Sequence, residues 1–228
     1  MLLCFIPSKA ALLLWRGVKN LKNTLYAYLR RNALLLFVLF CMFIAGVIFG
    51  SMGVVFLDPA QKKEIAFFVD RVFQDNVAYP SMNTLLKSAI VNVKLIAVIW
   101  FLGLTIIGIP LVAVVVFTRG FALGFTITFL IKLKGTSGIA AVILTLLPPN
   151  FFYVPLLIFA AASSIVFSLC LIKSYHSEVS LSKNFLAYTL FMITIAFAGG
   201  CIGVLQSLLS PFAVKAVFLT LGGGRNIR

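Results

Sequence analysis

Acidic residues are scarce in this chain: five Asp and Glu among 228 residues, against 19 Lys and Arg. There is one histidine, His176, and four cysteines without CxxC spacing. Charged residues of either sign make up only 11%. Each scarcity excludes something. No carboxylate lies within a long apolar run, so the intramembrane acid of a proton relay or cation-coupled transporter is missing. His176 stands in a short polar loop without Cys or carboxylate neighbours at ligand spacing, so no metal site is expected. There is no HExxH, no phosphate-binding GxxxxGKS/T and no placed Ser-His-Asp set, and nothing calls for a cofactor. Cys41, Cys170 and Cys201 fall in apolar runs and Cys4 in an apolar N-terminal stretch. They read as buried small hydrophobes, not as a disulfide framework.

What is present in abundance is apolar length. The chain is 62% hydrophobic, and Ala33–Leu57, Leu95–Thr118, Gly135–Ile172 and Asn184–Val214 carry no charge. A helix needs ~20 apolar residues to cross a bilayer, because its backbone polar groups must pair internally there. The expected fold class is all-α: a polytopic membrane helical bundle of about five transmembrane helices, with broken or kinked central helices. One integral membrane domain spans residues 1–228, and no room is left for a separate soluble domain. Its surroundings are membrane lipids. The net charge of +14 does not point to nucleic acid, because the Lys and Arg flank the apolar runs, where they set topology and meet anionic lipid.

The N-terminal segment, residues 1–32, holds Lys9, Arg16, Lys19, Lys22, Arg30 and Arg31 and no acid. It does not read as a signal peptide, since the basic residues follow the short apolar stretch instead of preceding it. Residues 11–29 read either as an amphipathic helix on the inner leaflet or as a cytoplasmic extension of the first span. The loop 58–87 is formally neutral and holds Asp58, Glu64, Asp70 and Asp75. The excess of positive charge before the first span therefore places the N-terminus in the cytoplasm and this loop outside. Asp58-Pro59-Ala60-Gln61 has the form of a helix start, with Asp as N-cap, Pro at the first position and Gln reaching back. Ile65, Phe68, Val69, Val72 and Phe73 then recur at helical spacing. That Phe-rich face either lies on the bilayer and the chain's own spans or docks a partner.

Residues 88–172 admit two paths. In one, a long helix runs to Phe117, a broken span follows from Gly120 to about Leu147, and another returns from Phe151. In the other, the chain turns between Gly103 and Gly108, spans Ile109–Ile131 and returns through Ile139–Ile172. Both give five crossings. The first puts Arg119 at a membrane boundary and is the favoured placement; the second puts it well inside a span, where it must be paired or hydrated. The short pieces Gly120–Ile131 and Ile139–Leu147 resemble broken helices that line a cavity or groove. Pro211 is expected to close the last span. Three glycine pairs at four-residue spacing, Gly46/Gly50, Gly120/Gly124 and Gly199/Gly203, are small-residue faces suited to close helix packing and do not specify a dimer. The oligomeric state stays open.

The run Gly103-Leu-Thr-Ile-Ile-Gly108-Ile-Pro110, followed by Arg119-Gly120-Phe-Ala-Leu-Gly124-Phe125, resembles the core of the stage II sporulation protein M family. So does Leu146-Leu-Pro148-Pro149-Asn150 with Pro155 beyond it. Order, spacing, the basic N-terminus and length agree from about Arg31 to Leu209. Many broader relatives carry a His-Gly pair and a Glu after the equivalent Leu-Pro; this chain has Pro149-Asn150 and no acid, as the sporulation branch does. The resemblance implies a multi-pass protein of the mother-cell membrane, at the sporulation septum, acting in forespore engulfment. Its implied partners are stage II sporulation proteins D and P, which degrade peptidoglycan, and its implied role is a non-catalytic scaffold.

Two other functions stand beside it. The interrupted middle spans could form the pathway of a permease-like exporter subunit, which would need a separate ATPase. An intramembrane enzyme would need facing polar groups, for which only Arg119, Lys132, Lys134, Asn150 and scattered Ser and Thr are available.

Overall fold

The computed structural model describes residues 32–75, 82–174 and 181–222; within its helices, the side chains at 68–75, 134, 137, 141, 145, 173–174, 181–183 and 210–222 are not part of that description. The amphipathic reading of residues 11–29, His176 and Cys4 fall outside it. Among the described residues all regular structure is helical, with no strand. In chain order the helices are α1 (Ala33–Gly53), α2 (Pro59–Asp75), α3 (Met82–Gly103), α4 (Gly108–Lys134), α5 (Thr136–Ala141), α6 (Leu147–Ser174) and α7 (Leu181–Gly222), with a π-helical turn, Val142–Leu146, leading into α6. Five of them, α1, α3, α4, α6 and α7, are long and apolar enough to cross a membrane.

Apolar side chains surround the spans, so pattern alone does not reveal which face packs. In lipid no hydrophobic force drives helices together, and close packing and interhelical hydrogen bonds decide instead. The buried residues of α1 are Leu39, Phe43, Gly46 and Gly50; those of α3 are Asn92, Ile96, Ile99 and Gly103. Both sets repeat at spacings of four, three and four, which is one helix face. The α1 stripe lies on α4 and the α3 stripe faces α6 and α7. Helix α6 differs: 67% of its apolar window is buried, against 17–28% for the other spans. Ala160, Ala161, Ala162, Ser163 and Ser164 are all inaccessible or nearly so. It is the central post on which the other spans lean.

The chain takes the second of the two paths. Helix α3 ends at Gly103, and Leu104–Ile107 turn tightly, with Leu104 N–H on the Phe101 carbonyl (3.1 Å) and Gly108 N–H on the Thr105 carbonyl (3.2 Å). Helix α4 then runs unbroken to Lys134, so Gly120–Ile131 is not a separate half-helix. Pro110 fits because the first turn of a helix has no intrahelical acceptor for its N–H groups. Gly135 ends α4 at φ 58°, a backbone state that favours glycine, and its N–H caps the Ile131 carbonyl (2.9 Å).

The expected irregularity lies at the entrance to α6. Pro148 and Pro149 lack the N–H groups that an α-helix would direct at residues 144 and 145, and the helix widens into the π turn immediately before them. Just beyond the prolines, the Asn150 side-chain amide donates back to the Leu146 carbonyl at 2.8 Å.

Helix α7 continues past Pro211 to Gly222, and its apolar span among the described residues is Asn184–Leu209. One further expectation is corrected. The cysteines are not uniformly buried and unbridged: Cys41 and Cys201 are free and exposed on span surfaces. Cys170 is buried and disulfide-bonded. A span surface facing lipid accepts a thiol as readily as a core does, which is why apolar context did not separate the two.

Candidate functional site

Besides Pro148 and Asn150 at the entrance to α6, the residues singled out by the sequence resolve into four separate places. The first is a polar layer at mid-span depth around Arg119. This arginine sits eleven residues into α4, not at the boundary, because the turn at 104–107 moves the start of the span to Gly108. Its guanidinium lies 5.0 Å above the Tyr153 ring of α6, a cation–π contact worth ~0.5–2 kcal/mol. Arg119 Nη2 approaches Asn92 Oδ1 of α3 at 3.5 Å, and Asn92 Nδ2 donates to the Gly199 carbonyl of α7 at 3.2 Å. Tyr153 Oη in turn reaches the Asn92 carbonyl at 3.5 Å. Four spans thus meet through one asparagine. Asn92 is buried while Arg119 stays half-buried. The layer joins a cation to neutral hydrogen-bonding groups, an arrangement that fixes the charge and orients the helices.

The second place is the turn at Gly103. A Cβ there would run into Tyr188 Oη and come within 2.6 Å of Ser164 Oγ. Ser168 Oγ donates to the Gly103 carbonyl (2.9 Å) and contacts the Thr105 carbonyl (3.1 Å), while Ser164 Oγ donates to the Ile99 carbonyl (2.9 Å). Tyr188 Oη donates to the Trp100 carbonyl at 3.0 Å, and its ring stacks on Phe167 at 4.3 Å between centroids. These bonds satisfy the last carbonyls of α3, which a helix end otherwise leaves open. Glycine at 108 is required as well, since a Cβ there would collide with the Leu102 carbonyl.

The third place is the α1–α4 contact. A Cβ on Gly46 would strike the Phe117 carbonyl, and one on Gly50 the Phe121 carbonyl; reciprocally, Gly120 and Gly124 abut the carbonyls of Phe43 and Val47. Two of the glycine pairs therefore pack on each other within one chain. The third pair, Gly199/Gly203, takes Ile96 and the Ser88 backbone of α3. Beside it, Ser207 and Ser88 hydroxyls meet at 2.5 Å.

The fourth is α2. Its start shows the reaching-back half of the expected capping box: Gln61 Oε1 accepts the Asp58 N–H at 3.3 Å, and the Lys62 N–H reaches the Asp58 carbonyl at 3.0 Å. Ile65 is half-buried; the side chains of Phe68, Val69, Val72 and Phe73 lie outside the description.

These places do not converge on a reaction centre. Gly103, Gly108 and Pro110 build a turn, Gly120 and Gly124 a helix contact, and Pro148 and Asn150 a helix entrance. Among the described residues no three His, Cys, Asp or Glu side chains gather. Sequence reasoning missed Asn92, Tyr153, Ser164, Ser168 and Tyr188. The available signal was polar residues inside apolar spans, with Ser164 and Ser168 on one face by their four-residue spacing.

Residues 12–207 match the family model described as Stage II sporulation protein M. No curated protein and no solved structure matches the chain.

Proposed function

The chain belongs to the stage II sporulation protein M family, which gives it a role in endospore formation, and on that premise we propose that it is a non-catalytic membrane scaffold. It anchors the peptidoglycan-degrading stage II sporulation proteins D and P at the septum and holds them against the wall while the membrane engulfs the forespore. The N-terminus is on the cytoplasmic side, and α2 lies outside with the hydrolases. The observation that carries this reading is the family match, which covers most of the chain. The family is not known as a catalytic one, and the polar groups around Asn92 and Gly103 join helices. The pathway of an exporter subunit finds no support in α4, which is continuous, or in the tightly filled middle of α6.

The test is deletion of the gene in its host, with the septal membranes imaged by a membrane dye during sporulation. Septa that stay flat or bulge without migrating are expected. Normal migration around the forespore would remove the engulfment role.

A further inference from the structure

Lys94 is the only charged residue in the middle of a span besides Arg119 among the described residues, and the two are held differently. Arg119 has Asn92 and Tyr153. Lys94 is exposed, and no described residue pairs with it. Its depth follows from its place among the spans. It lies two residues along α3 from Asn92, which ties α3 to Arg119 and Gly199 near the middles of their own spans. The nearer end of α3, Gly103, is nine residues away, about 13 Å of helical rise, more than a lysine side chain can bridge by extending toward the headgroups.

The surface around it is a continuous stripe. Lys87, Val91, Lys94, Val98 and Phe101 recur at spacings of four and three and are all exposed. Lys87, a few residues from the end of the helix, can reach the interface. Lys94 cannot, and the side chains around it on this stripe are apolar. An ammonium on a lipid-facing surface at that depth is costly, and such groups are normally paired. A second copy of this chain cannot supply the counter-charge. Its five carboxylates, Asp58, Glu64, Asp70, Asp75 and Glu178, all lie outside the five spans. Anionic headgroups lie at the membrane surface, not at this depth.

We propose that the exposed stripe of α3 is a docking surface for a membrane-spanning helix of another protein that carries an Asp or Glu at mid-bilayer depth, opposite Lys94. Val91, Val98 and Phe101 supply the packing around the charge pair, and Lys94 sets depth and register, because only one position of the partner helix aligns the carboxylate. A pair sheltered from water is also poorly screened by salt. This deepens the scaffold reading by naming the chemistry that recruits a membrane-anchored partner.

The test uses the full chain reconstituted in phosphatidylcholine vesicles with a fluorescently labelled Leu/Ala host helix bearing one central Glu, and the same helix with Leu in its place. Energy transfer reports association. The Glu helix is expected to bind the wild-type chain at least tenfold more tightly than the Leu helix, with Lys94→Arg keeping that preference and Lys94→Leu abolishing it. Equal binding of the two helices to the wild-type chain, as when Lys94 merely contacts lipid, would overturn the proposal. So would a Glu preference that survives in Lys94→Leu, which would assign it to Arg119 or another cation. The vesicles contain neither hydrolase nor septum, so a negative result leaves the engulfment test standing, and a failed engulfment test leaves this result standing.

Discussion

Arg119 of α4 is tied to Asn92 of α3, Nη2 to Oδ1 at 3.5 Å, and Asn92 is in turn tied to α7 through the Gly199 carbonyl. Asn92 therefore serves a charge and a helix joint together. Replacing it by Leu removes the guanidinium's hydrogen-bonding partner inside a span, a loss of about 1–3 kcal/mol. Arg119→Met alone leaves the buried Asn92 Oδ1 without its donor and forfeits the Tyr153 contact, again a loss of about 1–3 kcal/mol, whereas removing both partners leaves neither unpaired. The double variant should then be more stable than Asn92→Leu alone. Thermal unfolding in detergent measures this, and simply additive losses would show that the two residues are not coupled.

The α1–α4 contact makes a sharp contrast between glycines of the same helix. Gly46→Ala drives a methyl into the Phe117 backbone carbonyl and should cost about 1–3 kcal/mol through forced separation of the helices. Gly53→Ala meets only side chains, the Phe121 ring at 3.4 Å and the Phe125 ring at 3.9 Å, and should be neutral or slightly stabilising, since Ala is the better helix former. Equal midpoints for the two variants in an unfolding series would contradict the packing described.

Gly103 offers a rescue experiment. A methyl there collides with Tyr188 Oη, so Gly103→Ala is expected to destabilise the turn. Tyr188→Phe alone forfeits the bond to the Trp100 carbonyl, a loss of about 0.5–1.5 kcal/mol. In combination the hydroxyl is gone and part of the damage should be recovered. The remaining neighbour, Ser164 Oγ at 2.6 Å, keeps the rescue partial. A double variant worse than the sum of its parts would argue against the contact.

For the outer helix, Phe68→Asp tests the partner face of Ile65, Phe68, Val69, Val72 and Phe73. Under the scaffold reading, co-purification of the hydrolases falls while the variant reaches the membrane in normal amount. Unchanged co-purification would move the contact away from α2.

The number and class of the helices were legible because a membrane span needs a long apolar run, and such runs are hard to miss. Asp58-Pro59-x-Gln61 was legible for a different reason: a cap is a local device whose residues all lie within four positions. The route from residue 100 to 150 was not, since Gly103, Gly108 and Gly120 are equally good candidates for breaks. Only tertiary contacts distinguish them: Gly108 carries a turn, whereas Gly120 is pressed against the Phe43 carbonyl inside a continuous helix. Misplacing that turn moved Arg119 to the boundary. Asn92 and Tyr153 went unnoticed because a single polar residue in an apolar run announces its partners only when the spans are assembled. The glycine pairs were read correctly as packing faces, but which face met which depended on the fold.

The scaffold claim is tested most directly by following the hydrolases themselves. Fluorescent fusions to stage II sporulation proteins D and P would be imaged in sporulating cells of the host with and without this chain. The account predicts that both fusions concentrate at the septum when the chain is present and spread over the cell membrane when it is absent. Fusions that still gather at the septum without it would contradict the account.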